Sequence, residues 1–138
     1  MVKPSTEYRS GRHCVFLLHA HLIFTPKYRK RVFDGVHIEA LRTIFTGVCE
    51  SFGVTLTEFN GEADHVHLLV EFPPSVQLST LVNSLKGVSS RRLRGQFPEM
   101  DKRCWKGVLW SRSYFAASCG GAPLSIIKQY VEQQQTPT

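Results

Sequence analysis

Ala63-Asp64-His65-Val66-His67-Leu68-Leu69-Val70-Glu71-Phe72 decides the reading of this chain. Side chains on a strand alternate between faces, so residues i and i+2 point the same way. Val66, Leu68, Val70 and Phe72 then form one wholly apolar face, and His65, His67, Leu69 and Glu71 form the other. Two imidazoles stand side by side, each able to offer a neutral nitrogen to a divalent metal. Upstream, Asn60 to Asp64 reads as a turn and Val54 to Phe59 as a second strand. Downstream, Pro73-Pro74 stops the strand and Ser75 is placed to cap a helix. That helix has a core stripe of Leu78, Leu81, Val82, Leu85 and Val88, and a second face with Lys86, Ser90 and Arg94.

The same patterning extends to both ends. Cys14 to Phe24 alternates, with Cys14, Phe16, Leu18, Ala20, Leu22 and Phe24 on an apolar face and His19, His21 and Ile23 on a mixed one, which predicts a strand. A basic loop from Thr25 to Arg31 leads to Asp34, a helix cap, and Leu41, Ile44, Phe45, Val48 and Phe52 then follow helical spacing up to Gly53. Gln96 to Gly107 reads as irregular, Leu109 to Ala117 as a fourth strand, 118–123 as a Gly-rich hinge and 124–134 as a last helix. Residues 1–13 read as a loose arm of one domain spanning 1–138. The order predicts an α+β, ferredoxin-like split βαβ sandwich: an antiparallel sheet with two helices on one face, plus a C-terminal tyrosine-bearing helix. The other sheet face is expected to be open, with His19, His21, His65 and His67 sharing it. Four imidazoles can in principle form a zinc site, and periodicity alone does not choose between the two pairs. On the last helix Tyr130 and Gln134 are one turn apart and share a face.

Bulk properties bound the function. A chain of 138 residues is one domain able to bury a core. A net charge of +6 and a pI near 9.4 favour a polyanionic partner. Cys14, Cys49, Cys104 and Cys119 show no CxxC pairing and read as reduced thiols of a cytoplasmic protein. No apolar run approaches the ~20 residues of a membrane span, and no signal peptide opens the sequence.

Taken together and in order, several fragments resemble the single-tyrosine HUH transposases (His-hydrophobic-His) of the insertion sequence two-hundred/six-hundred-and-five superfamily. They are His21-Leu-Ile-Phe-Thr-Pro-Lys-Tyr-Arg-Lys-Arg-Val-Phe, Ala-Asp-His-Val-His-Leu-Leu-Val-Glu, Leu85-Lys-Gly-Val-Ser-Ser, Leu109-Trp-Ser-Arg-Ser-Tyr and Ile127-Lys-Gln-Tyr-Val-Glu-Gln-Gln. The similarity runs from His21 to Gln134. It implies that His65 and His67 bind a metal, that Gln134 is a further ligand, and that Tyr130 is the nucleophile. It also implies a divalent ion, magnesium first and manganese as the alternative, and no other cofactor. The implied partner is single-stranded DNA, as hairpins at element ends. The implied assembly is a homodimer whose tyrosine helix can dock on the partner's His pair, with Gly120-Gly121 as the hinge.

The chemistry implied is cleavage and rejoining of single-stranded DNA through a 5′-phosphotyrosine link. Lys27, Arg29, Lys30 and Arg31 in the basic loop, and Lys86, Arg91, Arg92 and Arg94 on the second helix, are the expected phosphate contacts. No element of the motif is broken, so an active enzyme is expected. One alternative is a domesticated HUH nuclease or replication initiator acting on repeat hairpins through the same site. Another is a non-catalytic, RNA-recognition-like module, which needs aromatics on the open sheet face; this chain offers His, Leu69 and Glu71 there.

Overall fold

The computed structural model describes residues 9–10, 15–16, 18–104, 106–118 and 131–132. Its elements are β1 (Arg9–Ser10), β2 (Val15–Phe16), β3 (His19–Phe24), a 3-10 turn at Lys27–Arg29, α1 (Gly35–Ser51), β4 (Thr55–Glu62), β5 (His65–Glu71), α2 (Leu78–Gln96), α3 (Met100–Arg103) and β6 (Phe115–Ser118). Four strands form one antiparallel sheet in the order β4-β5-β3-β6, and β1 pairs with β2 in a separate ribbon. This is the expected α+β split βαβ arrangement, with β3 and β5 as central neighbours. Of the expected last helix, residues 131–132 are helical. Tyr130, Gln134 and Gly120-Gly121 lie outside the described residues.

Alternation puts Ala20, Leu22 and Phe24 of β3 and Val66, Leu68 and Val70 of β5 against the helices. Leu41, Phe45 and Val48 of α1 and Leu81, Val82, Leu85 and Leu93 of α2 complete that layer. Burying each large side chain contributes roughly 1.5–3 kcal/mol. Phe24 is the hub, with edge-on contacts to Phe45, Trp110 and Tyr114. Cys49 and Cys104 are free and buried among these groups. Burial, with Glu50 adding to it, pushes the Cys49 thiol up to about 12, so it packs as an apolar group and is not a nucleophile.

Several boundaries differ from the sequence expectation. The strand expected over 14–24 is divided between β2 and β3, and the main ladder starts where Leu18 accepts the Phe72 N–H (3.0 Å). Asn60 to Glu62 is strand, so the turn into the His strand is only Ala63-Asp64. Leu56 and Phe59 are three apart yet oppose Val70 and Leu68 on the helix face, because a bulge between Leu56 and Glu58 shifts the register. The buried Thr57 there donates its hydroxyl to the Leu69 carbonyl (3.0 Å). Ser75 does not cap α2; Pro73 to Val76 closes a turn and Gln77 is the N-cap.

The fourth strand is shorter than expected: its regular ladder ends at Ile23 opposite Phe115, and 109–111 runs beside 25–27 out of that register, through a Pro26–Trp110 bridge and a Ser111 N–H bond to the Thr25 carbonyl (2.8 Å). Trp110 is buried and its Nε1 donates to Ser89 Oγ (2.9 Å). The half-buried Lys86 donates its Nζ to the Ser111 and Arg112 carbonyls (2.5 and 3.2 Å). Desolvation holds the Lys86 ammonium below its ordinary pKa.

The second face of the sheet is not open. Ile23 and Leu69, on the mixed sides of β3 and β5, are 0% and 2% exposed. Apolar residues on a strand's polar side need cover, and Val131 of the C-terminal segment is itself buried.

Candidate active site

Pairing β3 with β5 sets Ile23 opposite His67 and His21 opposite Leu69, which brings His21 diagonally beside His67. The two rings stack at 5.1 Å, and His21 Nδ1 lies 2.9 Å from His67 Nε2. One ring therefore donates and the other accepts. Burial first, and then the nearby His21 and His65, hold His67 below the ordinary imidazole pKa, which keeps it neutral at pH 7. His19 is drawn to the far end of the ladder. Its Nε2 is 3.4 Å from Glu71 Oε2, and both side chains are almost buried. Among the described residues no group of three or more His, Cys, Asp or Glu side chains is arranged to hold a metal, so the four-imidazole zinc site does not form.

His65 opens β5 directly after the hairpin turn. Its Nδ1 is 2.9 Å from Asp64 Oδ1, and Asp64 Oδ2 accepts a 2.6 Å bond from Arg29 Nε. Burial alone would raise the Asp64 carboxyl, but hydrogen bonds from His65 and Arg29 outweigh it and hold the pKa below the ordinary value. An ionised carboxylate only accepts, so the proton lies on His65 Nδ1. In the neutral ring Nε2 then carries the lone pair; it lies 3.7 Å from the exposed Glu62 carboxylate. Two imidazoles, one backed by a carboxylate, are a donor set that suits a divalent ion. In chemistry, then, His65 and His67 fit such a metal.

A cavity of about 530 Å³ joins these parts. Its walls include Arg29, Arg31, Glu62, His65 and His67, and Val131 and Glu132 also line it. Those last two residues directly follow Tyr130 in the sequence. A second cavity, of about 510 Å³, lies between α1 and β4 around Arg42, Glu58 and Asn60 and carries no imidazole.

Residues 14–134 match the family described as Transposase IS200 like. The chain belongs to that family. It is 32% identical over 128 residues to the ISDra2 transposase TnpA of Deinococcus radiodurans, covering 93% of this chain and 91% of that protein. Over 114 residues it is 33% identical to the transposase for insertion sequence element IS200 of Salmonella typhimurium, covering 83% of this chain and 74% of that one. Among solved structures, one from D. radiodurans R1 assigned as a transposase superposes with a TM-score of 0.84 at 31% identity, covering 94% of this chain and 99% of that one. A REP-associated tyrosine transposase bound to a REP hairpin shares the fold, with a TM-score of 0.55 at 10% identity over 90% of this chain and 68% of that one.

For an IS200-like transposase, the placement of the basic residues matters. Arg29 and Arg31 line the His cavity, and Lys30 beside them is exposed. Lys27 is half-buried, and its backbone N–H donates to the Leu109 carbonyl. Lys86, Arg91, Arg92 and Arg94 belong to α2, in the helix layer on the opposite side of the sheet from His65 and His67. Arg91 and Arg92 are exposed there, while Arg94 Nε donates to Asp101 (2.8 Å). The two basic groups thus serve different faces. The expected site residues that fall within the described part and meet in one cavity are His65, His67, Arg29 and Arg31. Sequence reasoning missed Asp64 as a partner of His65, and Glu62, Asn60 and Glu132 as cavity walls. The acidic residue directly before the His pair was the one signal for it. No helix among the described residues is long and apolar enough to cross a membrane.

Proposed function

We propose that this chain cleaves and rejoins single-stranded DNA at the ends of a mobile element through a 5′-phosphotyrosine intermediate. One observation carries the reading: Val131 and Glu132, the residues after Tyr130, line the same cavity as His65 and His67. That seating supports Tyr130 as the nucleophile. The Tyr130 Oη–P bond forms as the P–O3′ bond breaks, and the proton lost by the phenol balances the one gained by the departing 3′-oxygen. The ester energy stays in the covalent link, so a second 3′-hydroxyl can reverse the step and join new ends.

His65 and His67, with Gln134, would hold a magnesium or manganese ion, which when bound supplies Lewis-acid stabilisation of charge on the phosphate. The neutral state of His67 suits it to that task. Arg29 and Arg31 bring positive charge to the cavity wall, where a phosphodiester backbone would lie. An imperfect hairpin is the substrate this reading favours. The buried Ile23 and Leu69 argue against an open base-stacking sheet of the RNA-recognition kind. We read the assembly as a homodimer in which the tyrosine helix can exchange between subunits.

The test is direct. Wild-type protein incubated with single-stranded oligonucleotides from the flanks of its own gene is expected to form a covalent adduct. Tyr130→Phe should bind the same strands and form none, since only a hydroxyl is lost. Gln134→Ala should be milder than either His variant, because a neutral amide contributes less to a metal than an imidazole. Cleavage by Tyr130→Phe through a covalent link elsewhere would sink the assignment.

A further inference from the structure

We infer that Asp64, anchored by Arg29, is a positioning residue that fixes the tautomer and ring orientation of His65. The inference rests on the reading of His65 as a metal ligand, and it concerns residues outside the ligand set.

The geometry begins with the loop. Tyr28 and Arg29 have φ of +61° and +53°, two successive non-glycine residues in the left-handed region. Each such residue costs on the order of 1–3 kcal/mol and persists only where surrounding structure imposes it. The imposition is visible. Lys27 N–H donates to the Leu109 carbonyl (3.0 Å) and Arg29 N–H to the Pro26 carbonyl (2.7 Å). The Ala63 carbonyl, on the hairpin turn, accepts from both Val32 and Phe33 N–H (2.9 and 3.1 Å). The strained loop is thereby tied to the two-residue turn that carries Asp64.

The side chains complete the link. Arg29 Nε meets Asp64 Oδ2 at 2.6 Å, with only 17% and 10% of the two side chains exposed. The other carboxylate oxygen, Oδ1, is 2.9 Å from His65 Nδ1. Both oxygens of one carboxylate are therefore committed, which leaves it little freedom to rotate. At the far side of the ring, Nε2 is 3.7 Å from Glu62, too long for a hydrogen bond. Among the described residues Nε2 thus has no close acceptor to hold a proton on it, and His65 lines the cavity. A carboxylate behind a ligating histidine sets its tautomer and raises its basicity, and removing such a partner typically costs about 10–100-fold in metal affinity. His67 is held otherwise, its Nε2 being met by the His21 imidazole. The two imidazoles of the pair are therefore held by different means.

The experiment uses the full chain without metal or DNA. Long-range 1H–15N correlation spectra of the imidazoles, recorded above the imidazole titration range, report which nitrogen carries the proton. Wild-type His65 is expected in the Nδ1–H form. Asp64→Ala should move it towards the Nε2–H form that free histidine favours, and should weaken Mn2+ binding by about 10–100-fold in titration calorimetry. Asp64→Asn, whose amide oxygen still accepts, should retain the Nδ1–H form. Arg29→Met should keep the tautomer but weaken Mn2+ by a smaller factor. A wild-type His65 in the Nε2–H form overturns the inference with no variant needed, so a misfolded Asp64→Ala leaves it exposed to refutation. An unchanged tautomer in a folded Asp64→Ala overturns it equally. Because the spectrum is independent of DNA, loss of the Nδ1–H signature and loss of the Tyr130 adduct are separable failures.

Discussion

On the helix side of the β3–β5 ladder, Leu22, Phe24, Val66 and Leu68 are all fully buried. On the other side, the same two strands offer Ile23, His65 and His67 to a cavity, with His21 stacked on His67. The backbone ladder is shared, and only the parity of the residue differs. The helix side is satisfied by shape alone, since its side chains carry nothing that needs a hydrogen bond. Across the sheet the imidazoles depend on polar neighbours: His21 and His67 meet each other and Asp64 meets His65, while the buried His19 Nε2 lies 3.4 Å from Glu71 with no hydrogen bond among the described residues. Apolar burial is concentrated on one face, and the imidazoles of the other are held by polar groups that packing cannot replace.

The sharpest way to break this division is a crossed pair of neighbours. Leu68→Ala should lower unfolding free energy by about 2–5 kcal/mol, yet keep cleavage under conditions where it is folded. His67→Ala should leave the melting temperature nearly unchanged and reduce cleavage on the order of 10²–10³-fold. His19→Ala, at the Glu71 end of the ladder, should keep most activity. Thermal melts and single-turnover cleavage on the three variants decide it, and a stability loss at His67 matching that at Leu68 would dissolve the distinction.

Mixing subunits asks whether the cavity face is completed within one chain. Tyr130→Phe and His67→Ala are each expected to be inactive as homodimers. With helix exchange, one composite site in the heterodimer has an intact tyrosine and an intact His pair, and an adduct should appear on the His67→Ala chain. Residues 131–132 line their own chain's cavity. No adduct from a confirmed heterodimer would therefore leave the reaction within one subunit.

Much of this division is legible in the amino-acid sequence. Alternation over Val66 to Phe72 and over Ala20 to Phe24 is strict, so both central strands and their core faces follow from periodicity. The bulge at Thr57 is not legible as such, although Leu56 and Phe59, three apart on one face, require a register shift. The hairpin is easily misjudged because Ala63-Asp64 lacks the glycine or asparagine that marks most two-residue turns. The strand expected over Leu109 to Ala117 is interrupted because its pairing changes register between Ile23–Phe115 and Pro26–Trp110, where Lys86 of α2 bonds to the Ser111 and Arg112 carbonyls, links that no local pattern encodes. In the site, the His pair is visible as a pair. The Arg29–Asp64 link is not, because it joins residues 35 positions apart through side-chain orientation.

A smaller effect separates the two basic groups. Lys30→Ala with Arg31→Ala, beside the cavity, should lower the salt dependence of single-strand binding by about 0.7 for each phosphate no longer neutralised. Arg91→Ala with Arg92→Ala, on the helix layer, should lower it less. Equal slopes for both pairs would mean that DNA tracks both faces of the sheet.

The smallest effect is on stability against pH. The His67 pKa is depressed in the folded state, so the unfolded chain binds the proton more readily. Its contribution is fully present above about 6.5, the ordinary imidazole value, and is lost as pH falls from there through the folded value. His67→Asn should flatten that part of the denaturation-against-pH curve, and an unflattened curve would assign the slope to other groups.

The most direct measurement is the chemical address of the covalent bond. The chain has four tyrosines, Tyr8, Tyr28, Tyr114 and Tyr130. Wild-type protein is incubated with a cleavable single strand and Mn2+, then digested and mapped by mass spectrometry. The expected product is a nucleotide joined through its 5′-phosphate to the peptide carrying Tyr130, with no such peptide from His67→Ala. An adduct at Tyr8, Tyr28 or Tyr114, or an undiminished Tyr130 adduct without His67, would contradict the assignment of Tyr130 and the His pair to one reaction centre.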